Sequence, residues 1–388
     1  MRADVVVIGG GAIGAAAAYY LRSHAKPCTV AVIERDPTYA LASTPRASGG
    51  VRRLFSLPEN IQLSQYSIPF FERFATTMAV DDEPALIGFK KNGYLFIVPR
   101  PAIDTLRANF EAQQREGVRV IWLEPKEIAV KFPSMRVDDL GAGVQSPDDG
   151  WLDPHSVLQG FRHKARSLGA EFISDEVVGI DVEQGVARSV TLKKSGISIT
   201  MDAVINAAGA WAKEICAMVG WTVPIEPMRR YEHYFEAAEL IEPLPYIKDV
   251  NRLAFRPEGK GYSGGVPDLA EPRGFNFEVD HGYFERVVWP ALAHRFRAFE
   301  TTKVRSTMSG LYDQNELDAN MIIGPWTGHL ENFYLLAGFS GHGLMHAPGS
   351  GRAIAELILN GSYQTIDLSR FGWQRVADNL PYQERGII

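Results

Sequence analysis

The chain begins with an apolar run that breaks on three spaced glycines, "MRADVVVIGGGAIGAAAAYYLRSH", and few folds accept that arrangement. "DVVVI" has the β-branched composition of a buried parallel strand. Gly9, Gly11 and Gly14 follow with GxGxxG spacing, and "AAAAYYLRSH" is a strong helix former. Gly9 permits a tight turn off the strand, Gly11 leaves room for a pyrophosphate, and Gly14 lets helix and strand pack closely. The amino end of the helix then points unpaired N–H groups at phosphate charge. A second run, "TVAVIERD", reads as a strand ending at Glu34, twenty residues beyond Gly14, where a carboxylate binds ribose hydroxyls. The segment is therefore read as a dinucleotide-binding unit. A secretory signal is not expected, since Arg2 is countered by Asp4 and no cleavage site follows.

The 388 residues suffice for two domains with separate cores. A formal charge of −6 and the lack of a basic stripe argue against nucleic acid as a partner. No apolar run is long enough to span a bilayer. The two cysteines, Cys28 and Cys216, form no CxxC pair, so neither a disulfide framework nor a metal site is expected. A reducing, cytoplasmic location is the simplest expectation from that usage.

Strand–turn–helix units of the dinucleotide type recur at both ends and in the middle. "DAVINAAGAWAKEICAMVG" and "ENFYLLAGFSGHGLMHAPGSGRAIAELILNG" both read this way, and "GWLDPHSVLQGFRHKARSLGAEFI" reads as a helix started by Asp153 and Pro154 and feeding a strand. "TPRASGGVRRLFSLPENIQLSQYSIPFFERF" reads as a loop entering an amphipathic helix. From "EPMRRYEHYF" to "KVRSTMSGLYD" the pattern is strand-like. The fold class expected is α/β plus β: a discontinuous Rossmann-type domain over 1–88, 148–220 and 310–388. A second domain, over 89–147 and 221–309, is inserted on a large mixed or antiparallel sheet. Three glycine/alanine-rich turns so far apart, "GGGAIG", "NAAGAW" and "GFSGHG", suit a long cofactor lying extended through the protein, which points to FAD.

These same motifs, with "ERD" and "LLAGFSGHGLMHAPGSGRAIAELI", resemble the D-amino-acid oxidase/sarcosine oxidase family of flavoproteins over essentially the full chain. Longer stretches, "SGGVRRLFSLPENIQLS", "GWLDPHSVLQGFRHKARSLG" and "QTIDLSRF", narrow the resemblance to a mitochondrial flavoprotein within it. The resemblance implies an FAD domain roofed by a substrate domain, and oxidation of an amine or amino acid by hydride transfer. It implies FAD contacts at Gly9, Gly11, Ala12, Ile13 and Gly14, at Glu34 and Arg35, and at Ser43, Ser48, Gly49 and Gly50. Further contacts are expected at Val177, at Ala207, Gly209 and Trp211, and at Gly310, Gly338, Gly341, His342, Gly343 and Leu344. Attachment is expected to be non-covalent, since neither "GLYD" nor "STPRASGG" supplies a cysteine or histidine.

The protein's tasks in such a reaction are to orient the substrate and tune the flavin. Family resemblance places Arg52 over the flavin, where a guanidinium stabilises reduced flavin or holds a carboxylate; Arg53 is the alternative of the pair. His342 is a candidate for catalysis or for holding its turn. Two family features are missing. The "GLRP"-like arginine turn is replaced by "GLYD", with Leu311, Tyr312 and Asp313, and the lysine after "GFSGHG" is replaced by Met345 and His346. Tyr312 then offers a hydroxyl to substrate, and Arg256, Lys260 and Tyr262 are alternative clamps on the roof. Tyr262 and Ser263 stand near the family's oxygen-activating lysine, so a dehydrogenase is expected over an oxidase. The electron acceptor is left open among a carrier protein, a quinone and oxygen. In "RYEHYF", Tyr231, His233 and Phe235 share one strand face, with His233 structural or turned toward the site. Two other readings stay open: a flavoprotein kept for assembly or binding, and a hydroxy-acid dehydrogenase.

Overall fold

The computed structural model describes residues 1–26, 28–239, 241–250 and 253–386. The strand Val5–Ile8 is buried along its length because it lies inside a six-stranded sheet, between Ala203–Asn206 and Val30–Ile33. Beyond these lie Leu330–Ala337 and the edge strand Ile322–Trp326 on one side and Glu171–Ile173 on the other. Only the Ile322–Trp326 edge runs antiparallel. The helix Ala12–Ser23 turns Ala12, Ala15, Ala16, Ala17 and Ala18 inward, all fully buried. That small-residue stripe lets the closing helix Gly343–Asn360 approach so near that a Cβ on Gly351 would lie 2.8 Å from the Ala16 methyl.

The second large sheet has eight strands, in the order Thr302–Asn315, Ile225–Ala237, Gly261–Gly265, Leu253–Glu258, Tyr246–Asp249, Tyr94–Pro99, Leu140–Ser146 and Ile121–Leu123. It is mixed, because Tyr246–Asp249 runs parallel to Tyr94–Pro99 while the other neighbours are antiparallel. Strand alternation divides its side chains into two populations. Leu95, Ile247, Phe235 and Phe255 face an apolar layer completed by Leu292, Phe296 and Phe299. Tyr94, Phe96 and Tyr246 face the other way, toward Leu54 and Trp151. The six-stranded sheet takes its strands from 1–88, 148–220 and 310–388. The eight-stranded sheet takes its strands from 89–147 and 221–309, with Thr302–Asn315 running on past residue 309.

Two local expectations are corrected. The 225–315 region is interrupted by the helix Trp289–Arg295, whose Leu292 is needed to cover the apolar layer. The helix Pro58–Glu72 is buried on most of its circumference, because Ser64 and Asn60 find partners inside: His346 and Asn320.

Arg295 ties the covering helix to the sheet. It is 1% exposed and pairs with Asp249 at 2.8 Å and Asp139 at 2.8 Å. Arg295→Met removes a buried guanidinium from two carboxylates, Asp249 and Asp139, and denaturant titration should show a loss of about 3–5 kcal/mol.

Candidate functional site

A cavity of about 560 Å³ runs from the first glycine turn to the roof sheet. Its outer half is lined by Gly9, Gly11, Ala12, Ile13, Glu34, Arg35, Ser43, Val177, Ala207, Gly209 and Trp211. Its inner half is lined by Gly310, Leu311, Tyr312, Gly341, Gly343 and Leu344. Gly9 has φ +98° and sits so tightly that a Cβ would lie 2.5 Å from the Ala207 carbonyl oxygen. A Cβ on Gly11 would meet only Thr44 Oγ1, at 3.6 Å, so the backbone there is open to the cavity. The N-cap residue, Gly11, has no side chain to cap this helix. Thr44 Oγ1 accepts from the Ala12 N–H at 3.2 Å, a contact not foreseen from the sequence. Glu34 accepts from the Gly10 and Asp36 N–H groups, both at 2.9 Å, and burial raises its pKa. The Arg35 guanidinium lies 3.8 Å over the Trp211 ring, making a flat wall beside it.

Several expected contacts stand behind the lining. Gly14 has no room for a Cβ, which would overlap the Gly9 carbonyl, so its task is packing. Gly338 donates its N–H to Asp313 at 2.7 Å and stays inside the turn. Ser48 bonds outward to the roof, through the Tyr246 hydroxyl at 3.2 Å and the Arg256 Nε at 2.7 Å. Gly49 and Gly50 follow it away from the cavity, Gly50 against Tyr94 and Tyr246.

At the inner end, Tyr312 packs on Gly341, where a Cβ would lie 2.5 Å from the ring and φ is +99°. Asp313, the last residue of "GLYD", accepts from the N–H groups of Gly338 and Phe339 at 2.7 and 3.1 Å; burial pushes its pKa up to about 6. It holds the "GFSGHG" turn, a role the sequence did not signal. His342 lies between two lining glycines, and its Nε2 is 3.5 Å from Arg52 Nη2. Burial, and then the Arg52 charge, hold its pKa well below the usual value, so the imidazole is neutral. Arg52 is buried and donates to the Leu54 carbonyl at 2.5 Å, with its guanidinium 4.0 Å from the Phe55 ring and 5.3 Å from Phe96. Among the described residues it has no carboxylate partner. Burial lowers its pKa, yet an arginine remains charged.

The other arginines have structural tasks. Arg53 is no substrate clamp: its Nη1 pairs with Asp149 at 2.9 Å and its backbone N–H donates to the same carboxylate. Arg256 faces the cavity side but is spent on the Ser48 carbonyl and on Glu258. Tyr262 is corrected outright, because it lies on the apolar face, its ring 5.7 Å from Phe235 and 4.9 Å from Phe299. His233 is on that face too, bonded to Thr307 Oγ1 at 2.9 Å, and burial brings its pKa down to about 4. His346 is buried against Phe55 and bonds Ser64 at 3.2 Å. Sequence reasoning weighed "MRRYEHYF" for His233, whereas the side chain lining the cavity is Arg230.

Neither cysteine lines the cavity, and Cys216 belongs to the core of the first domain. Among the described residues no cluster of histidine, cysteine and acidic side chains could hold a metal, and no helix is long and apolar enough to cross a membrane. A glycine-capped helix amino end, an open glycine backbone and a carboxylate at the end of the second strand fit a dinucleotide. The lining continues without a break to the roof strand at Gly310, Leu311 and Tyr312, as a cofactor longer than a single nucleotide requires.

Comparison with known proteins agrees. The profile of the DAO family, FAD dependent oxidoreductase, matches residues 4–357. The chain is 37% identical over 427 residues to FAD-dependent oxidoreductase domain-containing protein 1 of Bos taurus, covering 100% of this chain and 87% of that protein. It is 28% identical to the mitochondrial sarcosine dehydrogenase of Homo sapiens, over 92% of this chain and 40% of that one. The L-proline dehydrogenase structure from P. horikoshii matches with a TM-score of 0.88 and 26% identity, covering 98% of this chain and 99% of that one. Glycine oxidase from Geobacillus kaustophilus shares the fold with a TM-score of 0.82 at 22% identity, over 96% and 99%. The chain belongs to the DAO family of FAD-dependent oxidoreductases, and its cofactor is FAD.

Two measurements follow. Glu34→Ala removes the acceptor at the second strand, and titration of stripped protein with FAD should show affinity lower by roughly 10–100-fold. The second concerns acid. Burial holds His346 at about 3, whereas an unfolded histidine titrates near ~6.5. Between those values the unfolded chain binds the extra proton, so stability falls as pH drops through that window. The slope approaches ~1.4 kcal/mol per pH unit for each such group. Urea unfolding between about pH 5 and 7 should show this slope, and His346→Gln should reduce it.

Proposed function

We propose that the protein oxidises the amine of a small amino acid, D-configured or N-substituted, with the nitrogen entering unprotonated. The Cα–H bond breaks with its electron pair, the nitrogen lone pair forms the C=N bond, and water hydrolyses the imine. FAD, held non-covalently, supplies the two-electron acceptor for that hydride. The observation that carries the reading is the inner end of the cavity. Tyr312 lines it, and directly behind its glycines stand a neutral imidazole at His342 and, 3.5 Å from that ring, the Arg52 guanidinium, which has no carboxylate partner among the described residues.

Each side chain has a separate task. Arg52, pinned between two aromatic rings, offers fixed positive charge to a substrate carboxylate. Neutral His342 does not repel an approaching amine. Tyr312 orients the substrate through its hydroxyl, and burial raises its pKa and keeps it protonated. Three relatives support the N-substituted choice. One is sarcosine dehydrogenase, another is 4-methylaminobutanoate oxidase of Paenarthrobacter nicotinovorans at 26% identity, and the third is L-proline dehydrogenase. The compounds in those names share a secondary amine. Two of the three are dehydrogenases, which supports an electron carrier over oxygen as the acceptor.

The test is the visible spectrum of the anaerobic holoprotein mixed in turn with D-, L- and N-methyl amino acids. One class should bleach the flavin band, and re-admitted air should restore it slowly. Arg52→Met should raise the half-saturating substrate concentration about 10–100-fold, and Tyr312→Phe should slow bleaching about tenfold. If dithionite bleaches the flavin and no amine does, a binding role replaces catalysis.

A further inference from the structure

We propose that Lys248, beside Arg52 and facing Arg230 across the roof, binds a second carboxylate of the substrate, so that the amine oxidised is a dicarboxylate. This deepens the amine-oxidation reading and rests on it.

The roof register carries the argument. On Tyr246–Asp249, Lys248 is paired laterally with Phe96 on one side and Ala254 on the other. Phe96 is the ring over which Arg52 lies at 5.3 Å, so the two cations are neighbours on the cavity face. The Ala254 side chain is a single methyl, which leaves room between Lys248 and the strand Ile225–Ala237. From that strand Arg230 reaches the cavity wall, 5.1 Å from the Tyr312 ring. Arg230 donates through Nη1 to the carbonyls of Arg229 and Asp268, leaving its other N–H groups for a ligand. The Lys248 ammonium makes no hydrogen bond or ion pair among the described residues, and the residue keeps accessible surface while Ile247 and Asp249 beside it are buried.

Among the described residues the anions around this charge are engaged with other groups: Asp249, which acts on Lys248, pairs with Arg295, and Glu384 and Asp149, which act on Arg52, are bonded to Ser56 and Arg53. Glu232 accepts from Ser263 at 2.6 Å, and burial raises its pKa toward the neutral form. Glu271, on the loop beside Arg230, pairs with Arg229 at 2.8 Å, and Asp268 offers Arg230 its carbonyl. Asp313 is taken by the Gly338 and Phe339 N–H groups. His342 is neutral, and Tyr246 and Tyr312 are held protonated. Lys248 itself is brought down to about 8, by burial first and then by Arg52 and Arg230. Three cations gathered in a low-dielectric space are costly until anions enter. One carboxylate satisfies Arg52, whereas a second is needed to satisfy Lys248 and Arg230.

The test uses redox-inert acids and the flavin spectrum of the resting holoprotein as the reporter. Glutarate should bind at least about tenfold more tightly than butyrate. Lys248→Met should remove that preference while leaving butyrate within about twofold, and Lys248→Arg should recover it. Equal affinity of the wild type for the two acids overturns the proposal, and that comparison needs no variant. So does a Lys248→Met protein, with full FAD content, that still prefers glutarate. If a neutral secondary amine bleaches the flavin and glutarate is not preferred, the second-carboxylate site falls and amine oxidation stands. A glutarate preference without bleaching by any amine keeps the anion site and removes the amine reaction.

Discussion

The first helix packs by contact of backbone on backbone, and the rest of the molecule is arranged around that closeness. Gly14 comes so near the Gly9 carbonyl that no side-chain carbon fits between them, and alanines continue the contact toward the closing helix. Because helix Ala12–Ser23 lies flush between the sheet and Gly343–Asn360, its amino end and the "GFSGHG" turn open on the same cavity. The two ends of the chain thus supply opposite ends of one cofactor site. A larger residue in this stripe would separate the phosphate-binding end from the reacting end, and the cofactor could not span both.

This part of the molecule was legible in the sequence because its signals are local. Glycine spacing, a β-branched run and an acidic residue twenty positions on are read within one supersecondary unit. The helix started by Asp153 was equally plain, and Asp153 accepts from the Ser156 N–H at 2.6 Å. The roof was harder. Alternation correctly grouped Tyr231, His233 and Phe235 on one face, but only tertiary packing decides which face meets the cofactor, and it is the opposite one. Lys248 was hidden for a related reason. It sits next to Asp249, so the strand looks charged on both sides, and the Asp249 carboxylate pairs with Arg295, far along the chain. Asp313 looked like a departure from the family's arginine turn. In the fold it is the acceptor that shapes the neighbouring turn.

The missing family cations therefore have a structural counterpart in kind. "GLYD", on the roof sheet itself, and "HGLMH", at the start of the closing helix, carry none of the family's cations, while Arg230 and Lys248 place positive charge on the roof. Arg52 lies beside Lys248, with its guanidinium fixed by rings and one carbonyl and without a carboxylate partner among the described residues. On the reading proposed above, such a site keeps the flavin end of the family and puts substrate choice on the inserted sheet.

The strict two-sidedness of that sheet bears on how such a protein can change over generations. Leu95, Ile247, Phe235 and Phe255 form a buried apolar layer, and the intervening positions point to the opposite face, the one from which Arg230 reaches the cavity. Losing or gaining one residue within a strand would exchange the two sets, carrying charge into the apolar layer and phenyl rings into the pocket. New specificities are then reachable by point replacement at positions such as 230, 248 and 254. A change of strand length is tolerated only where a bulge absorbs it, as at Tyr234/Phe235 and Val98/Pro99, and the inter-strand loops are the freer places for the inserted domain to grow.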